Sequence, residues 1–557
     1  MGVNSLISDY VSKIDLWIKK LSSQDIVIFL WQGFPDVSLI QYVQNNYPKR
    51  VCYWLIFSEW SLVIDKKKEW IQSYPHLNDF EQVLNPIGMS VFTLEPHTYL
   101  WINLSNDIEK FLYDFEYDAS LICYLNIPEI QPIVLPNIKP WYQPIDYSKR
   151  INVKQAVIVG GGIAGATTAY FLAQHDVQVT LLEKEKDIAS KASGNYQGVL
   201  YAKVSPHHTI QTELLYKSYG LSVSLLELMD SEHLFSDNCG VLHLNYDDRE
   251  RERNLQLAEK NYHLNYYLHR KDAEEIAGIK IEQDGLFWPR GAWTHPRSWI
   301  QRLLIHPNIQ VKTNFNVLSF CYEEKNSQWK VISANESIVS DALVLALGAD
   351  DNDIYKNLGL NLSFISGQTS IIEANNISKE LKIVLSGDGY IAPAYKNIHC
   401  FGSTFHPNNK QFELSKEDEL MNVKNLYQLN HYLHSSFIRN DSVNKKIGMK
   451  GHHAVRCDSF DHLPVVGSLG DICQMRKVYA KLCLDKNYYL KDPCPYWPNL
   501  YINTAHGSRG LLTSSLCSLA LVSEILVLPN PLGLRLRQSL SPNRLIINDI
   551  IKRRRFN

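Results

Sequence analysis

The chain lacks an excess of charge of either sign. Its 557 residues hold 56 Lys and Arg against 58 Asp and Glu, a formal net charge of -2. A molecule coated in positive charge for nucleic acid is excluded, although a local basic face is not. Long hydrophobic runs are also missing. The longest apolar stretch, 516–528, is interrupted by Ser518, Ser523 and Glu524 and stopped by Pro529. It reads as a buried or amphipathic helix, so no membrane span is expected. Residues 1–20 carry Asp9, Lys13, Asp15, Lys19 and Lys20 among their apolar positions, which is not the pattern of a signal peptide. None of the ten cysteines forms a Cys-x-x-Cys pair, which leaves zinc-ribbon and thioredoxin readings unsupported. The expectation is a reduced, cytoplasmic protein with no metal. Internal repeats and low-complexity segments are absent from the sequence.

What is present is enough length for several domains. Residues 1–126 read as a small α/β domain. The continuous apolar runs 25–31 and 51–57 are predicted strands covered on both faces. Between them Val37, Ile40, Val43 and Tyr47 fall at helical spacing. Residues 90–103 predict two strands around a turn, and 119–125 another strand. Prolines 128, 132, 136, 140 and 144 then make 127–150 a stiff, extended linker. The last residues, with Lys552 and Arg553 to Arg555, read as a solvated tail.

At Lys154 the pattern changes. A buried strand (156–159) runs into Gly160, Gly162 and Gly165, a helix follows, and a second strand ends in the acidic Glu183 about twenty residues on. A lone Gly-x-Gly-x-x-Gly is weak; this context is what a dinucleotide site needs. Gly160 permits the tight turn, Gly162 lets a pyrophosphate approach bare backbone, and Gly165 lets helix and strand pack closely. The helix N-terminus offers free N–H groups and partial positive charge. Glu183 can accept from a ribose diol and would repel a 2′-phosphate, which disfavours NADP. The bland alternative is an ordinary βαβ unit with a glycine turn. A second small-residue loop, Ser193 to Gly198, and a strand reaching Gly348 favour FAD over NAD, because a long cofactor needs such added contacts.

Several further strings carry a family resemblance. These are Ser193-Gly-Asn-Tyr-Gln-Gly198, Trp288-Pro-Arg-Gly-Ala-Trp293, the segment from Val455 to Gly467, Gly507-Ser-Arg-Gly-Leu511 and Pro542-Asn-Arg544. With them, about 400 residues from Ala156 onward resemble the D-amino-acid oxidase / glycine oxidase superfamily, and within it the oxidoreductase half of the MnmC family of bifunctional tRNA-modifying enzymes. The resemblance implies an α/β fold: a Rossmann-type FAD-binding domain from 151–205, 308–352 and 450–535, interleaved with an α+β substrate domain (206–307 and 353–449) bearing an antiparallel sheet, then a tail at 536–557. It implies FAD contacts at Gly160, Gly162, Ile163, Ala164, Gly165 and Glu183, then at Ser193, Gln197, Gly198, Val317 and Gly348, and finally at Gly507, Arg509, Gly510 and Leu511.

The implied substrate is the anticodon wobble uridine of tRNA. The carboxymethyl group of a 5-carboxymethylaminomethyl side chain would be oxidised off, hydride passing to the flavin and the imine hydrolysing to glyoxylate. Arg456 matches the family's carboxylate-binding arginine, Tyr390 its hydroxyl partner, and Arg509 a group beside the flavin. Each has a plainer alternative. Arg456 can bridge to Asp458 or Asp461, Tyr390 can be an ordinary strand residue, and Arg509 can cap a helix or meet a cofactor phosphate. His207-His208 and His452-His453 read as structural, since no third metal ligand is evident. Arg249, Arg251, Arg253, Lys260, Arg270 and Lys271 offer part of a basic rim or simply a solvated helix face.

The N-terminal unit departs from the family. Residues 25–126 resemble a shortened S-adenosylmethionine-dependent methyltransferase. Its first strand leads into Trp31-Gln-Gly-Phe-Pro35 rather than a glycine-rich loop. Glu59 holds the ribose-acid position, but no acidic catalytic stretch follows Leu125. Loss of methylation is therefore expected. Three functions remain: a tRNA-modifying flavoenzyme, an oxidase of free glycine, sarcosine or a D-amino acid, and a non-catalytic tRNA-binding flavoprotein.

Overall fold

The structure is a computed structural model that describes residues 3–21, 26–86, 88–95, 97–104, 108, 122–127, 139–142, 153–260, 263–349, 352–407, 413–438 and 450–552. The first part of the strand expected at 119–125, most of the 127–150 linker and Arg553 to Arg555 lie outside these residues.

The N-terminal unit is a five-stranded sheet in the order Met89–Glu95, Thr98–Asn103, Cys52–Phe57, Val27–Gln32, Ile122–Leu125. All neighbours are parallel except the first pair. Every residue of Cys52–Phe57 is buried. One face is covered by the unit's own helices, which include Val37–Asn46 and the unexpected Trp60–Ser73. The other face is covered by the rest of the chain. Tyr53 and Tyr99 stack at 5.0 Å on that side, and the Tyr99 hydroxyl meets His175 Nε2 at 2.9 Å. Met89–Glu95 lies on the long helix Ile210–Met229, where a Cβ on Gly220 would come within 3.2 Å of the Phe92 ring. The two units thus share one apolar core.

The second unit is built on a six-stranded sheet in the order Ile309–Lys312, Gln178–Leu182, Gln155–Val159, Ala342–Leu345, Tyr496–Thr504, Val465–Gly470, parallel but for the last strand. Parallel strands are buried on both faces, and the helices Ile163–Ala173 and Gly510–Ile525 cover one of them. A nine-stranded sheet forms the second lobe, antiparallel throughout except where Val241–Leu244 pairs with Val384–Ser386. Strand Gly451–Asp458 pairs along eight residues with Ser363–Glu373 and so belongs to this second sheet. The third FAD segment therefore begins after that strand and not at 450. The expected tail at 536–557 is also corrected: Gly533–Leu540 and Asn543–Ile551 are helices with buried faces, and Arg544 binds Asp461 through Nε and Nη2, both at 2.9 Å. Trp141, in the described piece of the linker, accepts from Tyr496 and Asn543 and is held to the same lobe.

Candidate functional site

The strand Gln155–Val159 ends in Gly160, whose φ is +117°. A Cβ there would stand 2.3 Å from the Ala346 carbonyl oxygen, and one on Gly165 would stand 2.0 Å from the Gly160 oxygen. Neither position accommodates a side chain, which is how the turn brings helix Ile163–Ala173 against the strand. That helix has no acidic residue in its first turn, and its Ile163 N–H donates to Ser193 Oγ at 3.1 Å. Ile163 and Ala164 of that turn line the cavity, while the Ala166 amide donates to the Gly162 carbonyl at 2.9 Å. Glu183 accepts from the Gly161 and Glu185 amides at 2.8 and 2.9 Å. Each carboxylate oxygen keeps a further lone pair for a diol.

A cavity of about 560 Å³ opens at the ends of these strands, between the glycine loop and the second sheet. One wall is backbone: Gly162, Gly348 and Gly507 line it, and a Cβ on Gly348 would meet no atom within 4 Å. The opposite wall carries Arg456. Its Nη2 donates to Ser403 Oγ at 3.0 Å, while its buried Nη1 has no hydrogen-bond partner. Gly367 makes room for it, since a Cβ there would lie 2.9 Å from Nη1. The ring of Phe405 covers the guanidinium at 4.3 Å. The structural bridge to Asp458 or Asp461 is not formed: Asp458 binds His462 and the Ser459 amide, and Asp461 binds Arg544. An orphaned guanidinium N–H in a cavity is an offer to an anion, because an unsatisfied buried donor costs about 1–3 kcal/mol or more.

The other cavity groups are held more firmly. Tyr390 lines the cavity, but its hydroxyl donates to the Gln197 carbonyl at 2.8 Å and accepts from Asn195 Nδ2 at 2.9 Å. Burial, reinforced by Cys400, raises the Tyr390 pKa well above its ordinary value. The hydroxyl expected to meet substrate is thus engaged by groups of the protein itself. Arg509 stands at the N-cap position of helix Gly510–Ile525 without a side-chain cap bond and lines the cavity. His506 anchors this loop through Thr513 Oγ1 at 2.9 Å and Asn503 Oδ1 at 3.0 Å, and burial pushes its pKa down to about 4. The Gly507 amide donates to the Cys457 carbonyl at 2.9 Å, tying the loop to the strand that bears Arg456. Lys203 also lines the cavity; burial lowers its pKa, Glu250 and Asp388 oppose that shift, and Arg253 and Arg509 add to it.

Of the expected cofactor contacts, Gly162, Ile163, Ala164, Ser193, Gly198 and Gly348 line the cavity, as do Gly507, Arg509, Gly510 and Leu511. Gly160 and Gly165 shape the turn behind it. Three stand elsewhere. Glu183 stands beside the lining, at the strand end, and holds the glycine loop through the Gly161 amide, Val317 is buried in the core, and the Gln197 side chain spans from the Pro393 carbonyl to the Cys400 amide. The expected basic rim loses Arg253, which turns inward to the Val204 carbonyl and to Glu250. Sequence reading missed Lys203, Ser403 and Phe405, which belong to no glycine pattern, and gave Asn195 no role although it lies in the string Ser193 to Gly198. Among the described residues no three His, Cys, Asp or Glu side chains form a metal-holding group, and no helix is long and apolar enough to cross a membrane.

A backbone-lined cradle at a helix N-terminus, an acid at the second strand end and the adjoining cavity of about 560 Å³ fit an FAD molecule. The chain belongs to the FAD-dependent oxidoreductase family (DAO), whose model matches residues 155–523. It is an FAD-dependent oxidoreductase. It is similar to the tRNA 5-methylaminomethyl-2-thiouridine biosynthesis bifunctional protein MnmC of Chromobacterium violaceum, 36% identical over 418 residues, which are 74% of this chain and 62% of that protein. The MnmC of Pseudomonas syringae pv. tomato is 34% identical over 421 residues, 75% and 63% of the two chains. This chain thus spans less than two thirds of the length of these relatives. In fold it is similar to the solved glycine oxidase of Geobacillus kaustophilus, with a TM-score of 0.53 at 18% identity over 67% of this chain and 95% of that one. L-proline dehydrogenase from P. horikoshii likewise gives 0.53 at 15% identity, over 70% and 97%.

Proposed function

We propose that this oxidoreductase acts on a CH–NH group of tRNA: it removes the carboxymethyl group of 5-carboxymethylaminomethyl-(2-thio)uridine at the wobble position and leaves 5-aminomethyl-(2-thio)uridine. The observation that carries this reading is Arg456, whose guanidinium lines the cavity and keeps an unpartnered Nη1, while Gly162, Gly348 and Gly507 line the same cavity as bare backbone. Similarity to MnmC supplies the nucleoside. The partner is therefore tRNA, met in the cytoplasm.

Arg456 holds the substrate carboxylate with two N–H groups, and Phe405 and Ser403 fix the guanidinium plane. This fixes the methylene between carboxylate and nitrogen relative to the wall formed by Gly162, Gly348 and Gly507. Bound FAD supplies the two-electron acceptor for the hydride that leaves this carbon. The nitrogen lone pair forms the C=N bond, so the amine must be neutral. Lys203, Arg456 and Arg509 favour that state, since nearby positive charge lowers an amine's pKa. Water then adds to the imine carbon and the C–N bond breaks, giving glyoxylate and the primary amine.

The test is to incubate the full chain with tRNA bearing the carboxymethylaminomethyl nucleoside and to analyse digested nucleosides by mass spectrometry. Aminomethyl nucleoside with matching glyoxylate is expected. Unchanged tRNA together with turnover of glycine, sarcosine or a D-amino acid would replace this reading with a small-molecule oxidase. Flavin binding with no turnover of either would leave a non-catalytic tRNA-binding flavoprotein. In the same reading the N-terminal unit does not methylate and serves as a brace on the oxidase.

A further inference from the structure

We infer that Phe405 is the stacking platform for the substrate's pyrimidine ring, the residue that makes this cavity prefer a nucleobase-bearing amine over a free amino acid. The inference rests on the reading that the substrate is a modified uridine, and it names a specificity residue for that site. Three observations carry it. Phe405 lines the cavity and is 54% exposed, more than Tyr246 at 39% and more than the part-buried Tyr201 and Tyr390, the other aromatic side chains of its lining. Its ring already stacks on the Arg456 guanidinium at 4.3 Å, which leaves its remaining surface open. Its backbone follows strand Ile398–Gly402 and precedes the short bridge His406–Pro407, so the ring is presented from between paired elements and not from a free loop.

Chain length completes the argument. In a carboxymethylaminomethyl side chain about four covalent bonds of ~1.5 Å separate the carboxylate carbon from the pyrimidine ring, a reach of roughly 5 Å. A carboxylate held by Arg456 therefore puts the base within stacking distance of the ring that covers the same guanidinium. The base has to leave its own stack to enter the cavity, and an aromatic face compensates for that loss at the site. Tyr246 also lines the cavity and is 39% exposed, but it stands beyond Val241–Leu244, three strands from Ile398–Gly402 across the sheet. Its ring lies at Gly387, where a Cβ would come within 3.5 Å of Cδ1, and not on the Arg456 guanidinium that Phe405 covers.

The experiment compares two ligands on the FAD-loaded full chain: the free nucleoside 5-carboxymethylaminomethyluridine and N-methylglycine, each mixed anaerobically by stopped flow, with the dissociation constant read from the concentration dependence of the flavin-reduction rate. Both offer Arg456 a carboxylate beside an amine; only one carries a base. The readout is the ratio of their dissociation constants, in which any disturbance of Arg456 cancels. Stacking is worth about 5- to 150-fold per base, so the wild type should favour the nucleoside by that margin. Phe405→Leu should bring the ratio to within about twofold of unity, and Phe405→Trp should preserve it. A Phe405→Leu protein that keeps the wild-type ratio, or a wild type that shows no preference, overturns the inference. Turnover of modified tRNA by the wild type is read separately. Loss of that turnover with the nucleoside preference intact defeats the tRNA reading and not the stacking role.

Discussion

Two sheets in this molecule end in the same backbone turn and make opposite use of it. In the N-terminal unit the Gly33 amide donates to the Phe57 carbonyl at 2.7 Å; in the oxidase the Gly160 amide donates to the Leu182 carbonyl at 2.8 Å. Both glycines have positive φ, +93° and +117°. Beyond the turn the two diverge. Trp31, 6% exposed, lies on Tyr10 at 4.8 Å, and Asn126 donates to the Gln32 carbonyl at 2.6 Å. The strand ends there are closed by side chains of the same unit. Beyond Gly160 the lining includes Gly162, Ala164, Ser193 and Gly348, and the space stays open as the cavity of about 560 Å³. A nucleotide site is set less by the turn than by what is kept out of it.

The sharpest break in that comparison is at the far wall of the open site. Arg456→Met should lower kcat/KM for the carboxymethylaminomethyl substrate by on the order of 10²–10³, because a carboxylate left without its buried cation costs about 3–4 kcal/mol. Steady-state kinetics measures this, with FAD content unchanged. Next, Gly162→Val fills the cradle as Trp31 fills its counterpart. A Cβ at Gly162 already comes within 3.3 Å of Ser193 Oγ. FAD affinity should fall at least about tenfold, read by flavin retention on dialysis, since the added methyls occupy the close approach that the pyrophosphate needs.

Acid should probe both regions together. His506 in the flavin loop is held neutral by burial, with its pKa down to about 4. His175, at the junction with the N-terminal unit, is lowered to about 3, by burial first and His97 second. Between about pH 6.5 and these values the unfolded chain binds protons that the folded chain refuses, so stability falls as pH drops through that window. At pH 5 the loss is roughly 2 kcal/mol per histidine. The melting temperature should therefore decline from pH 7 to pH 5, and His175→Gln should flatten part of that slope. The smallest effect is expected from Tyr390→Phe. Its hydroxyl serves the Gln197 carbonyl and Asn195 rather than an open position. Losing such bonds costs about 1 kcal/mol each, and kcat should change less than about tenfold.

The sequence was most legible where one residue type answers to one physical demand. The strands at 27–32 and 52–57 were plain because two-sided burial requires unbroken apolar runs, although what covers the second face, Ile210–Met229 with His175, lies far off in the chain. The glycine loop was legible because only glycine fits at Gly160 and Gly165. The C-terminal helices were misread as a tail because the closing basic run from Lys552 to Arg555 looks solvated on paper, whereas upstream of it Arg537 is 5% exposed and Arg544 binds Asp461. Helix Trp60–Ser73 was overlooked because its stripe is thin, with only Val63 and Trp70 buried. At the site, Arg456 and the glycines sit in recognisable strings. Phe405, Ser403 and Lys203 are single residues whose meaning comes from long-range pairing of strands, which spacing does not reveal.

The most direct measurement is a titration of flavin-stripped full chain with FAD and, separately, with S-adenosylmethionine. One equivalent of FAD with the yellow absorbance restored, and no heat from S-adenosylmethionine, is what an open second turn and a filled first turn predict. A chain that stays colourless in excess FAD, or that binds S-adenosylmethionine tightly through its N-terminal unit, would contradict the account.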